Sequence, residues 1–342
     1  MEDKDVSGSI IVVSDIHFGL GNSEHEQFSY FLEWIKKLET LENEELPKIT
    51  VDGREKVLKP PEKIILLGDI LELWDPYKDE VSHILRHSFK PLDKVIDLAC
   101  EKVYAVGNHD ESIEDYAGEY RLDNGSTFKI IPGHYPDESE PPVSLGKNRY
   151  FFIHGHQFDK LFIVAGWFAS LPSYMAKMSS LTSKYFPLNG WSSVLLSLIS
   201  FLGYFISRPY NFSEALLVLA VFFAVFAVTK IFTYLQGDVW AGIRGYVVKK
   251  PKYKDIETII EENYYDKKKD TIQANVIVFG HTHKPEIYNH NDSGKIFVNT
   301  GSWVKEEGVE YNTFVYIDEE GPLVLKWEGG KKPPKPLITC VF

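Results

Sequence analysis

Residues 64–74 read Ile64-Ile65-Leu66-Leu67-Gly68-Asp69-Ile70-Leu71-Glu72-Leu73-Trp74. The four aliphatic residues predict a strand, and Gly68 ends it in a loop that carries two carboxylates. The same grammar recurs outward from this stretch in both directions. Ile10 to Val13 leads into Asp15-Ile16-His17, Val103 to Val106 into Gly107-Asn108-His109-Asp110, Tyr150 to Ile153 into His154-Gly155-His156, and Val276 to Phe279 into Gly280-His281-Thr282-His283. Each cluster of Asp, Asn, Glu or His therefore sits at the carboxyl end of a predicted strand. Open α/β sheets gather their ligands along that edge.

Composition sets the class. The 342 residues are 44% hydrophobic and 25% charged, enough for a buried core in one large domain or two. A formal charge of −12 argues against a protein that wraps nucleic acid through its phosphates, so no non-specific nucleic-acid binding is expected. Cys100 and Cys340 are too few for a disulfide framework, and the polar clusters contain no thiol, which fits a reducing cytosol. The polar start, Met1 to Ser9, followed by the short run Ile10 to Val13, gives no signal-peptide core.

Between the clusters, Phe28, Phe31, Leu32, Ile35 and Leu38 fall at helical spacing and predict an amphipathic helix across Glu24 to Leu41. The polar stretch Glu42 to Pro61, with Asp52-Gly53 between two short apolar runs, reads as a surface hairpin. A second helix is expected over Val81 to Glu101, interrupted near Pro91. Residues 111–147 read as loop-rich, and alternation at Val276, Ile296, Thr313 and Leu323 predicts closing strands of a second sheet.

One region departs from an ordinary soluble enzyme. No charged residue occurs over the 23 positions Tyr185 to Ser207, nor over the 15 positions Ala215 to Thr229. A membrane-crossing helix needs about 20 mainly apolar residues. Lys177 and Lys184 before these runs, with Lys230, Arg244, Lys249 and Lys250 after them, would leave both flanks in the cytoplasm. We expect one catalytic domain over residues 1–342 with an apolar helical hairpin or lid inserted at 157–250. It is expected to be membrane-associated through a transmembrane helix, with the catalytic part at the cytoplasmic face; a soluble cytoplasmic enzyme is the alternative.

Asp, His and Asn without Cys make a ligand set for Mn²⁺, Fe²⁺ or Zn²⁺ in a catalytic rather than a structural site. In Asp-x-His, alternate residues after a strand can turn to one side. A carboxylate such as Asp69 has two oxygens and can bridge two ions. Two ions about 3.5–4 Å apart clamp the attacking and leaving oxygens of a phosphoryl displacement, so no serine or cysteine nucleophile is required. Any one cluster is commonplace. Five in order, each behind a strand, are not.

These motifs resemble those of the calcineurin-like metallophosphoesterases: Asp-x-His, Gly-Asp-x-x-Asp/Glu, Gly-Asn-His-Asp/Glu, a His-bearing strand end and Gly-His-x-His. The resemblance implies a four-layer α/β/β/α sandwich with two divalent ions, Mn²⁺ first with Fe²⁺ or Zn²⁺ as alternatives, at one sheet edge. It implies that Asp15, His17, Asp69 and His283 hold one ion and that Asp69, Asn108, His154 and His281 hold the other. It further implies that His109 contacts the phosphate and protonates the leaving oxygen, oriented by Glu72. Asp110 either serves that dyad or caps a helix. His156 and His134 either contact substrate or are structural. Leu73 stands where protein serine/threonine phosphatases of the family carry Arg, which disfavours that activity. The run 68–74, the apolar insert after His154, and Asn299-Thr300-Gly301-Ser302-Trp303 are similar to the UDP-2,3-diacylglucosamine hydrolase branch. That branch usually has Arg at the position of His109 and Asp at that of His156, so its exact substrate does not carry over. The expected function is hydrolysis of a phosphodiester or pyrophosphate on a lipid-linked or membrane-associated substrate. The alternatives are a soluble phosphodiesterase or phosphomonoesterase and, from another class, a non-catalytic scaffold.

Overall fold

The structure is a computed structural model that describes residues 8–74, 76, 77, 80–137, 140, 143–158, 190–207, 214–228, 274–290, 294–330 and 332–339. The chain divides into two units, one formed by Met1–Gln157 and Lys252–Phe342 and the other by Phe158–Pro251.

In the first unit the strands are β1 (Ser9–Val13), β2 (Lys48–Val51), β3 (Arg54–Val57), β4 (Pro61–Leu67), β5 (Glu101–Ala105), β6 (Gly118–Arg121), β7 (Thr127–Ile131), β8 (His134–Tyr135), β9 (Val143–Leu145), β10 (Asn148–Ile153), β11 (Val276–Phe279), β12 (Glu286–His290), β13 (Lys295–Asn299), β14 (Thr313–Asp318), β15 (Gly321–Lys326) and β16 (Lys335–Thr339). One sheet runs β16-β15-β14-β1-β4-β5-β7-β6, and the other β12-β13-β11-β10-β8 with β9 on β10. The central strands β1, β4, β5 and β7 are parallel, as are β10, β11 and β13, so the carboxyl ends within each set share an edge.

Alternation divides the core. Ile10, Val12, Ile65, Leu67, Val103 and Ala105 on one face of the first sheet pack with Tyr150, Phe152, Val276, Val278, Ile296 and Val298 of the second. The opposite face, including Ile11, Val13, Ile64 and Leu66, packs under the helices α1 (His25–Leu38) and α2 (Val81–Asp97). There Phe28, Phe31, Trp303, Phe314 and Trp327 form an aromatic knot, with Phe31 ring centroids 4.6–6.0 Å from its neighbours. Truncating one such buried ring costs about 3–5 kcal/mol. The layers α, β and β are thus built as expected. The expected second helical layer is not seen among the described residues.

Three expectations about elements need correction. Helix α2 runs through Pro91 without a break; Ile84, Ser88, Pro91 and Val95 form its buried stripe, so packing on α1 offsets the hydrogen bond that proline lacks. Residues 111–147 hold four short strands, because β6 and β7 extend the first sheet while β8 and β9 flank β10. Strands β14 and β15 do not close the second sheet; β14 returns antiparallel to β1 in the first. The β2–β3 hairpin turns at Asp52-Gly53, both at positive φ, as the dipeptide requires.

In the second unit the described residues beyond Phe158 form two helices, α3 (Gly190–Ser207) and α4 (residues 214–228). Their pattern is inside-out for water. Ser193, Ser200 and Ala220 are buried, Ser197 Oγ donates to the Ala220 carbonyl at 2.8 Å, and Gly203 faces Leu216. Leu198, Ile199, Leu202 and Ile206 on α3, with Val218, Val221, Val225 and Val228 on α4, face outward. The expected transmembrane helix is not found: among the described residues no helix is long and apolar enough to cross a membrane. At 1.5 Å per residue the described part of α3 covers about 27 Å and that of α4 about 22 Å. Residues 185–189 and 229, the remainder of the two uncharged runs, lie outside the described residues.

Candidate metal centre

The five clusters converge. The loop after β1 zips onto the loop after β4, with the N–H groups of Asp15, His17 and Phe18 donating to the carbonyls of Gly68, Asp69 and Ile70. The Gly280 N–H donates to the His154 carbonyl at 2.8 Å, joining the loops after β10 and β11. Asp15, His17, Asp69, His281 and His283 all have φ between 48° and 66°. Non-glycine residues rarely adopt this left-handed conformation. In Asp15-x-His17 and His281-x-His283 it turns the alternate side chains into one space, and its cost is of the kind concentrated at functional sites.

Three sets of ligand atoms lie within 4.8 Å of one another: Asp15, His17 and His283; His17, Asp69 and His109; and Asp69, His154 and His281. Asp69 belongs to two of them. His154 Nε2 is 3.0 Å from Asp69 Oδ2, and His283 Nε2 is 3.4 Å from Asp15 Oδ1. His17 Nε2 lies 3.9 Å from Asp15 Oδ1 and 3.8 Å from Asp69 Oδ2.

The outer atoms of these side chains are already engaged. His17 Nδ1–H donates to Glu72 Oε2 at 2.8 Å, His154 Nδ1–H to the Leu67 carbonyl at 2.8 Å, and His283 Nδ1–H to Glu306 Oε1 at 2.5 Å. Asp15 Oδ2 accepts from Ser14 Oγ and from the His281 N–H. The inner atoms are left over: Asp15 Oδ1, His17 Nε2, His154 Nε2 and Asn108 Oδ1 are buried without a hydrogen-bond partner. Buried polar atoms in native proteins are nearly always paired. Four unpaired ones, all lone-pair donors on expected ligands, fit a divalent metal pair whose ions would supply the missing partners. Asp15, His17, Asp69, His154, His281 and His283 of the expected ligand set are thus brought together, and Asn108 keeps a buried, unpaired amide oxygen.

Electrostatics support the same fit. Burial opposes ionisation of Asp69, yet His154, His109 and His17 overcome it and hold the carboxyl well below its ordinary range. Asp15 is lowered likewise, against burial, by His283 and His154. Burial pulls His154 down, but Asp69 and Asp15 push it up to about 9; His283, also opposed by burial, is raised by Asp15 and Glu306 to about 10. Both folded values exceed the unfolded value near 6.5, so in metal-free protein this stabilisation is complete below about pH 6.5 and is lost as pH rises through 9 and 10. The thermal midpoint of chelator-treated protein should therefore fall between pH 7 and 10. A flat profile would show that these imidazoles carry no proton there.

The remaining expected residues sort by contact. His109 Nδ1–H donates to Glu72 Oε1 at 2.8 Å, and the Trp74 ring stacks on the imidazole at 4.5 Å and 28°. Glu72, held ionised against burial by His109 and His17, thus grips both imidazoles. Asp110 performs neither expected role. Its oxygens accept from the N–H groups of Gly107 (2.7 Å) and Ile70 (2.8 Å) and from Tyr104 Oη (2.6 Å), and its side chain makes no capping bond to the following helical turn. It brackets the two loops that carry Asp69 and Asn108. His156 lies beside the second set, with its ring 5.6 Å from His154 and 6.3 Å from His281. His134 has a structural setting, bonded to the Pro136 carbonyl at 2.9 Å and packed on Phe151.

Ser14, Trp74 and Glu306 join the site without having been singled out in the sequence. Ser14 had a readable signal, a hydroxyl directly after an aliphatic strand, where it meets Asp15 and Thr300 Oγ1. The run 299–303 is a brace: Asn299 Nδ2 donates to the Gly280 carbonyl and Thr282 Oγ1, and the Trp303 N–H donates to the Asp15 carbonyl. Gly107 is required by close approach, since a Cβ there would lie 2.4 Å from both N and Oδ1 of Asp69. Gly107→Ala should cost about 1–3 kcal/mol through overpacking and lower activity with it. Melting and turnover measured on one preparation check this, and an unchanged pair would refute the close packing.

A model of the calcineurin-like phosphoesterase family matches residues 8–192, more than half of the chain. The chain belongs to the calcineurin-like phosphoesterase family. It is accordingly a hydrolase of phosphoester bonds, and its converging carboxylates, imidazoles and amide are the candidate ligands of that family's dimetal site. Solved structures similar to this family member include a phosphoesterase from E. coli, Yfce (12% identity over 94% of this chain and 93% of that one, TM-score 0.39). A dimetal phosphatase from Danio rerio is 9% identical over 95% and 100%, with TM-score 0.38. An uncharacterized protein from Streptococcus pneumoniae TIGR4, described as a predicted phosphoesterase, is 13% identical over 96% and 97%, with TM-score 0.34. No curated protein matches the chain.

Proposed function

We propose that this phosphoesterase uses a dinuclear centre to hydrolyse a phosphodiester or pyrophosphate on a lipid-linked substrate, working at the cytoplasmic face of a membrane. Asp15, His17, Asp69 and His283 hold one ion, and Asp69, Asn108, His154 and His281 the other, with Mn²⁺ the first choice for this oxygen and nitrogen set. When bound, the two ions polarise a phosphoryl oxygen and activate water. His109 then supplies a proton to the leaving oxygen, while its Nδ1–H stays on Glu72 and Trp74 covers one ring face. Glu72 keeps that imidazole in the tautomer and orientation the transfer needs.

The observation that carries the lipid reading is the inside-out pair α3 and α4. Soluble helices bury their Leu, Ile and Val and expose Ser; here Ser193, Ser200, Ala220 and Ala227 lie inside with Phe226, no Leu, Ile or Val of the described residues of α3 and α4 is buried, and most of them lie outside. Helix pairs in lipid are built this way, with small and hydroxyl residues at the contact and apolar residues toward acyl chains. An outward apolar surface of this kind fits insertion into a lipid leaflet. The flanking Lys177, Lys184 and Lys230 favour the anionic cytoplasmic leaflet.

The test offers detergent-purified protein with Mn²⁺ a nucleotide-linked lipid and its soluble head group side by side, read by mass spectrometry with Asp69→Asn as control. Faster cleavage of the lipid is expected. Equal or faster cleavage of the head group would leave a general phosphoesterase and overturn the lipid reading.

A further inference from the structure

The outer contacts of His17, His283 and His154 differ in kind. Both imidazoles of the first position lean on carboxylates, His17 on Glu72 and His283 on Glu306. His154 of the second position leans on a neutral carbonyl, that of Leu67. A carboxylate behind a ligating imidazole fixes its tautomer and raises its basicity more than a carbonyl does.

Glu306 is also deliberately placed. Its loop is clamped to the segment that follows Asp15-x-His17: the Glu24 N–H donates to the Trp303 carbonyl at 2.8 Å, the Lys305 N–H to the Asn22 carbonyl at 2.9 Å, and Asn22 Nδ2 to the Lys305 carbonyl at 3.1 Å. Ser23 and Val304 form a bridge within the same clamp. One residue beyond Lys305, the Glu306 carboxylate reaches His283 Nδ1, while His283 Nε2 points toward Asp15 Oδ1. The clamp therefore ties together both ends of the first ligand set. Glu306 itself is part-exposed, so it acts through His283 and not as a buried ligand.

We propose that Glu306 is a positioning residue for the first ion: by holding His283 it makes the position of Asp15, His17, Asp69 and His283 the tighter one, filled before that of Asn108, His154 and His281. This rests on the dinuclear reading above. An exposed Glu–His contact with no such role would contribute little on its removal.

The test is a Mn²⁺ titration of the metal-free full chain, following free Mn²⁺ by paramagnetic resonance. Wild type should take up two ions in a tight and then a weaker step. Glu306→Gln, which keeps the shape and loses the charge, should weaken the tight step by about 10- to 100-fold and leave the weaker step unchanged. Glu306→Asp should lie between the two, and the melting midpoint of chelated Glu306→Gln should stay close to that of wild type. A Glu306→Gln titration that matches a two-ion wild type, or one that loses both steps equally, overturns this proposal alone. A wild type that takes up fewer than two ions overturns the dinuclear reading and this proposal with it.

Discussion

Asp69→Asn is expected to lower kcat/KM by about 10³-fold or more, equivalent to about 4 kcal/mol of transition-state stabilisation, while the protein remains folded. Asp69 is the carboxylate common to two of the three ligand sets, with Oδ2 facing His154 Nε2 and Oδ1 accepting the His109 N–H at 2.8 Å. Asparagine keeps an oxygen for that N–H and nearly the same volume, so the loop should hold. It removes the charge that would serve both cations and would turn an amide N–H₂ toward them. Its loss therefore falls on metal retention and turnover, while circular dichroism of the chelated variant should match wild type. Wild-type turnover in Asp69→Asn with two ions still bound would remove Asp69 from the centre.

The second large effect depends on the leaving group. His109→Asn should cost about 10²- to 10⁴-fold on an ester whose leaving alkoxide needs a proton, and far less on a p-nitrophenyl ester, whose leaving group needs none. The reason is geometric: Glu72 Oε1 holds Nδ1–H, Trp74 stacks on the ring, and the ring sits 4.7 Å from that of His17 at the edge of the ligand cluster. Kinetics on the two esters separate the roles. An equal loss on both would make His109 a binding residue and leave the proton to another donor.

Much of this was readable because the signal is local. An aliphatic run followed within a few residues by Gly-Asp, Asn-His or His-x-His states both the strand and the chemistry at its end, and all five such loops converge. The left-handed backbone at Asp15, His17, Asp69, His281 and His283 went unread, because several polar residues tolerate it and nothing in composition demands it. What escaped depends on closure of the chain. Glu306 meets His283 only because residues 303–305 are clamped to residues 22–24, and β14, besides pairing with β15, returns to β1 rather than to β13. Asp110 misled because an acid after His suggests chemistry, yet its oxygens are taken by Gly107, Ile70 and Tyr104. The uncharged runs hold the helices α3 and α4, and among the described residues neither is long and apolar enough to cross a membrane.

The most direct test of a dinuclear phosphoesterase centre is the metal content of the purified full chain, counted by elemental analysis while Mn²⁺ is added back to metal-free protein and hydrolysis of a model diester is followed in the same samples. Two ions per chain, with turnover rising as the second is taken up and absent in Asp69→Asn, is the predicted result. Full turnover in metal-free protein, or saturation at one ion with no further gain, would contradict it.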